Sequence, residues 1–214
     1  MAKRLLHRPS SFSKAELRYT APHMFPKRAP EIQAAVNPLS AEDVAAILRE
    51  RGWLRDENEA TSSAGELVSE SASAWMAEAA ALLGPRAEDR GALARLLQMV
   101  FEYDGRATLA TRECQEVLAR EGAREVIRVL ATEILKGGPV DSNRLKETVA
   151  AIKATLPYSS RDIFHPLRVV LAGRLGGGEL DRVVLLLDRA AQAEGLAPVK
   201  TVRSRILEFC TALD

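Results

Sequence analysis

From residue 40 onward, apolar positions recur three and four residues apart, the spacing that lines one face of an α-helix. Val44, Ile47 and Leu48 form the first such face, with Ser40 at its N-cap and Gly52 at its end. After the polar stretch Asp56 to Ser63, which reads as a loop, Leu67, Ser71, Trp75 and Leu82 share a stripe that stops at Gly84-Pro85. Leu93, Leu96, Leu97, Val100 and Phe101 give the next, stopped at Asp104-Gly105. Helical spacing returns at Val117 and Leu118, then at Val126, Ile127, Leu130 and Ile134 before Gly137-Gly138-Pro139. Asp141 caps a stripe of Leu145, Val149, Ile152 and Leu156. Leu180, Val183, Val184 and Leu187 follow a glycine run, and Val199, Val202, Ile206, Phe209 and Leu213 line the final helix. Val169-Val170-Leu171 alone has the composition of a strand, and it is too short to build a sheet. The pattern predicts an all-α fold of two small helical subdomains, 36–136 and 137–214, meeting near Gly137-Gly138-Pro139.

The first 35 residues carry no such pattern. Pro9, Pro22, Pro26 and Pro30 interrupt any helix, so this segment reads as a flexible arm. Its basic residues Lys3, Arg4, Arg8, Lys14, Arg18, Lys27 and Arg28 interleave with Phe12, Tyr19 and Phe25, a composition able to track phosphates and stack on bases. The whole chain has a formal charge of only +1. That average conceals a net +5 over residues 1–35, −7 over 36–143 and +5 over 144–205. An acidic middle between basic ends is a reason to look for a charged face suited to a polyanion.

Composition narrows the class further. At 47% hydrophobic and 28% charged, the 214 residues can form a core, and no apolar run approaches the length of a membrane span. Two cysteines, Cys114 and Cys210, make neither a disulfide framework nor a cysteine zinc site and suit a reducing cytosol, so a cytoplasmic protein is expected. His7, His23 and His165 have no partner at ligand spacing. Gly176-Gly177-Gly178 lacks the Gly-Lys-Ser/Thr ending and preceding strand of a phosphate loop, and no Gly-x-Ser-x-Gly elbow occurs. No catalytic residues, metal or cofactor are expected.

The segment from Tyr158 to Asp181 stands apart. Read physically, Pro166 starts a short helix at its favoured first position. Leu167, Val170 and Leu171 give that helix an apolar face and Gly173 ends it. Arg168 and Arg174 then flank a turn whose glycines let another backbone approach closely. Ile163-Phe164-His165-Pro166-Leu167-Arg168-Val169-Val170-Leu171-Ala172-Gly173-Arg174 resembles the C-terminal anticodon-binding region of bacterial-type, class I glutamyl-tRNA synthetases. There an apolar or aromatic residue and a spacer precede Pro-Leu-Arg, a small apolar run, Thr-Gly-Arg and a Gly/Pro turn. Ala172 stands in place of the threonine, and Gly178 where proline is frequent. Leu82-Leu83-Gly84-Pro85-Arg86, with Leu93-Ala94-Arg95-Leu96 and Val100-Phe101, resembles the entry to the first anticodon-binding subdomain. The resemblance covers about residues 65–214.

The resemblance implies an all-α anticodon-binding fold and a tRNA partner with a glutamate-type anticodon. It implies that Arg86 faces the third anticodon base, that Arg168 reaches an anticodon base, and that Gly177, Gly178 and Leu180 form the turn that holds the first base; Arg174 flanks that turn. Single-stranded loop bases are read by such arginine planes, backbone groups and apolar contacts. The family's catalytic core, with its His-x-Gly-His and Lys-x-Ser-Lys motifs, has no counterpart in the sequence, so this chain alone is not expected to charge tRNA. Three roles stay open: a free-standing tRNA-binding module, the anticodon-binding part of a split glutamate–tRNA ligase working in trans with a catalytic subunit, and a helical adaptor that has lost RNA binding.

Overall fold

Short polar side chains mark most helix starts. Ser40, Ser69, Asp89, Asp104, Thr111, Asp141, Ser159 and Thr201 each accept a hydrogen bond from a backbone N–H in the first turn that follows. Each bond satisfies a donor that the helix itself leaves without a partner. At Ser40 the cap is reciprocal, because the Asp43 carboxylate accepts from the Ser40 N–H at 2.8 Å. The computed structural model describes residues 39–55, 69–176 and 179–214, with the side chains of 179 and 180 excepted. The arm expected over 1–35, the stripe position Leu67, the turn residues Gly177 and Gly178, and the Leu180 side chain lie outside the described residues.

Among the described residues the fold is all helical. The helices are α1 (Ala41–Glu50), α2 (Glu70–Leu83), α3 (Arg90–Phe101), α4 (Gly105–Ala110), α5 (Arg112–Leu118), α6 (Ala123–Leu135), α7 (Ser142–Thr155), α8 (Ser160–Ala172), α9 (Glu179–Ala190) and α10 (Val202–Leu213). One 3-10 turn, Gly84–Arg86, extends α2. The expected stop at Asp104-Gly105 is also a start, since Asp104 caps α4. A single antiparallel bridge joins Leu54 to Leu196, flanked by Arg55 N–H to Gly195 O at 2.7 Å and Ala197 N–H to Trp53 O at 2.7 Å.

Residues Asn37–Asp214 pack as one compact unit. Its centre is α8, α9 and α10, against which α2, α3, α4 and α6 lie. Leu93, Leu97, Val100, Leu130, Ile163, Val170, Leu171, Leu187 and Phe209 are fully buried there, so helices before and after residue 136 share a core. Phe101 stacks on Trp53, with ring centroids 4.8 Å apart, and meets Trp75 edge-on at 5.7 Å. The Trp75 indole N–H donates to Leu186 O at 3.1 Å, which joins α2 to α9.

Among the described residues, one arginine and one aspartate are buried in this core. Arg205, on the apolar face of α10, is fully enclosed and donates to the carbonyls of Met99, Val100, Lys200 and Leu171. Burial lowers its pKa to about 10, which leaves it charged at neutral pH. Asp188 accepts from the Val140 N–H at 2.5 Å and the Val202 N–H at 2.8 Å. It thereby ties the end of α9 to the starts of α7 and α10.

Two sequence expectations need correction. Pro166 does not open its helix. Ser159 does, with its hydroxyl 3.3 Å from the Asp162 N–H and 2.5 Å from the Asp162 carboxylate, and Pro166 lies buried inside α8. Without an N–H, Pro166 cannot bond the carbonyl of Asp162, a gap tolerated here because tertiary packing on both sides of the helix outweighs the local penalty. The final helix starts at Val202 rather than Val199, because Thr201 takes the cap position.

Replacement of Gly122, which packs against the residue just before the α8 cap, should be felt strongly. Its φ of 77° is left-handed, and a Cβ there would overlap the Tyr158 ring. Gly122→Ala is expected to lower stability by about 2–4 kcal/mol, the combined scale of left-handed strain and overpacking. Urea unfolding followed by circular dichroism measures it, and a change within about 0.5 kcal/mol, the range of ordinary surface substitutions, would contradict the close approach.

Candidate nucleic-acid interface

The Ser159 cap and the left-handed Gly173, φ 79°, bound α8 and set the turn that leads into α9. Ile163, Leu167, Val170 and Leu171 fix one face of α8 in the core. The residues at i, i+4 and i+7 from Arg161, namely His165 and Arg168, fall together on another face.

Arg168 is held on three sides. Its Nε and Nη2 donate to the two carboxylate oxygens of Asp181, each at 3.0 Å, in a side-on bidentate pair. Its Nη1 donates to Gly176 O at 3.0 Å, and the guanidinium carbon sits 5.4 Å from the Phe164 ring centroid. The side chain is 16% exposed. A guanidinium carries five N–H donors, so these three bonds leave one N–H on Nη1 and one on Nη2. Arg168 thus clamps the segment entering the glycine turn against the first turn of α9 while keeping donors for a further partner.

Beside it, the Arg120 Nη1 lies 2.9 Å from His165 Nδ1. Arginine can only donate, so Nδ1 accepts and the imidazole is neutral, with its proton on Nε2. Burial, and next the charges of Arg120, Arg161 and Arg168, lower the His165 pKa, against a smaller opposing effect of Asp162. Lys153 from α7 is a second cation over the Phe164 ring, its Nζ 5.6 Å from the centroid. Tyr158 donates to the Glu125 carboxylate at 2.8 Å, closing the far end of this face with acid.

Arg86 is exposed on the 3-10 turn after α2, and Arg174 is exposed just past Gly173; neither forms an ion pair among the described residues. Arg182 donates to Leu82 O at 3.3 Å, so consecutive residues of α9 bind Arg168 and the end of α2 that leads to Arg86. The first turn of α9 therefore links Arg168 to the helix end that carries Arg86, two of the three arginines singled out from sequence. Asp181, Phe164, Lys153 and Arg120 were not anticipated. Only the i, i+4, i+7 spacing of Arg161, His165 and Arg168 was available to signal the face.

Elsewhere, a cleft of about 340 Å³ lies between α2, the start of α7 and α9, crossed by the Glu78–Arg189 ion pair at 2.6 Å. Among the described residues no group of three or more histidines, cysteines or acids is placed to hold a metal ion. No helix among them is long and apolar enough to cross a membrane.

The family model of the anticodon binding domain matches residues 41–194. Curated relatives include glutamate–tRNA ligases of Bacillus thuringiensis (strain Al Hakam) and Bacillus anthracis, each 26% identical over 129 residues, and of Bacillus cytotoxicus, 27% identical over 124. In each case the match covers 58% of this chain and 25% of the relative, so the chain spans about a quarter of the ligases it matches. Comparison with solved structures gives no significant match.

Proposed function

The chain belongs to the anticodon binding domain family, and from that premise we propose that it binds tRNA with the α8–α9 turn and reads a glutamate-type anticodon. The observation that carries the reading is the state of Arg168. Asp181 and Gly176 O hold it in one orientation, which removes most of its rotamer freedom before any RNA arrives. Two unused donors remain on its planar fork, the pattern suited to a base edge. Arg86, exposed on the neighbouring helix end, supplies discrimination at the third anticodon base, and Arg174, Gly177, Gly178 and Leu180 complete the contact around the turn. The glutamate preference rests on the names of the relatives, and a synthetase catalytic subunit is the protein partner such a module would serve.

The test is fluorescence binding of full-length protein to tRNAs with glutamate and glutamine anticodons. Arg168→Ala is expected to weaken binding of the cognate tRNA by about 1–3 kcal/mol and to reduce preference among anticodons. Arg168→Lys should not restore it, because an ammonium cannot hold Asp181 bidentately and present donors at once. Arg86→Gln should act on discrimination between the two tRNAs more than on affinity. Wild-type protein binding neither tRNA more tightly than an unrelated RNA hairpin would overturn the reading.

A further inference from the structure

We propose that Arg161, His165 and Arg120 form a phosphate-contacting strip that continues from Arg168 along α8 and holds the sugar-phosphate backbone of the bound RNA. The inference rests on the anticodon reading for the identity of the RNA, and on separate residues for its own evidence. Arg161, His165 and Arg168 share one face of α8, and Arg120 reaches the same face from the end of α5, its guanidinium 2.9 Å from the imidazole. Among the described residues neither Arg120 nor Arg161 forms an ion pair with a carboxylate, whereas Arg168 is neutralised by Asp181. The three arginines outnumber Asp162 and Asp181 beside them, and Glu125 bounds only the far end of the face, so the strip carries an excess of positive charge that a polyanion complements.

The Arg120–His165 contact gives the strip a distinct chemistry. Two groups that both carry protons in their cationic forms share one hydrogen bond, which exists only while His165 Nδ1 is unprotonated. The groups facing the imidazole are Arg120, Arg161 and Arg168, which disfavour its cation, and Asp162, which favours it. A phosphate drawn to this face offsets the three arginines. His165 can then take up a proton at Nδ1, which breaks its bond to Arg120 and turns both side chains into phosphate donors. Binding would thus be coupled to proton uptake. Because the bound-state pKa lies above the free one, affinity rises as pH falls through the interval between them.

The experiment measures binding of the full chain to a tRNA with a glutamate anticodon and to an unrelated RNA hairpin across a range of salt concentrations. Arg120→Gln/Arg161→Gln is expected to reduce the slope of log affinity against log salt by about one to two, close to one counterion for each lost contact, and equally for both RNAs. Arg161→Gln alone alters an exposed residue and should account for about half of that change, so the test holds if Arg120→Gln impairs folding. Wild-type affinity should be higher near about pH 6 than near about pH 8, and His165→Gln should flatten that difference. By NMR, the His165 titration should move upward when RNA is added. An unchanged salt slope in the double variant, or an unmoved His165 titration, would overturn the strip even if anticodon preference persists. If wild type binds tRNA and hairpin alike and the double variant weakens both, the strip stands and the anticodon reading falls. If wild type binds neither RNA, both fall.

Discussion

Arg205→Met is expected to lower folding stability by about 3–5 kcal/mol, the scale seen when one side of a buried charged network is removed. Four carbonyls converge on this guanidinium: Met99 at 2.9 Å, Val100 at 2.6 Å, Leu171 at 2.7 Å and Lys200 at 3.1 Å. Three of them belong to the last turns of α3 and α8, whose helix dipoles point partial negative charge at one spot. Among the described residues no carboxylate lies within ion-pair distance of Arg205, so these dipoles and the Tyr103 ring, 4.5 Å away, compensate the cation. Methionine fills similar space but leaves those acceptors buried without that donor. Arg205→Lys keeps the charge, yet three donors cannot meet four carbonyls, so an intermediate loss is expected. Urea unfolding provides the measurement, and a loss below about 1 kcal/mol for Met would show that the network is worth little. The consequence follows from position: Leu171 lies two residues before Gly173, so Arg205 fixes the end of α8 from which the chain turns toward α9.

The second large effect is expected at Asp188. Asp188→Ala removes the acceptor for the buried N–H groups of Val140 and Val202 and should cost about 2–4 kcal/mol, one desolvation penalty for each orphaned donor. Asp188→Asn retains one carbonyl oxygen but turns an amide donor toward an N–H donor, so it should recover only part of the loss. Thermal melting of the three proteins orders them, and equal stability of the alanine and wild-type proteins would refute the role. Val140 immediately precedes the Asp141 cap of α7 and Val202 opens α10, so the carboxylate sets where both helices start relative to α9.

These two residues mark where the sequence stopped being informative. Helix positions were legible because their causes are local. A cap such as Ser40 or Asp141 and a stripe such as Val126, Ile127, Leu130 and Ile134 act over three to eight residues, and both can be read along the chain. Pro166 misled for the same reason. Its local preference for a first turn is real, but Ser159 and Asp162 supply a better start seven residues earlier, and core packing carries the helix through the proline. Arg168 was legible as part of a motif, and Asp181 was not, since an ion pair thirteen residues apart leaves no periodic trace.

By itself the sequence determined the all-α class, most helix boundaries, the family of the 163–174 segment and the arginines worth testing. All of these depend on contacts within a few residues or on a motif continuous along the chain. Only the tertiary structure decided that a cation on the apolar stripe of α10 gathers carbonyls from α3 and α8, that one carboxylate starts two helices, and that Arg120 meets His165 across 45 residues. A buried polar atom must find a partner wherever the fold brings one, and sequence separation places no restriction on which partner that is.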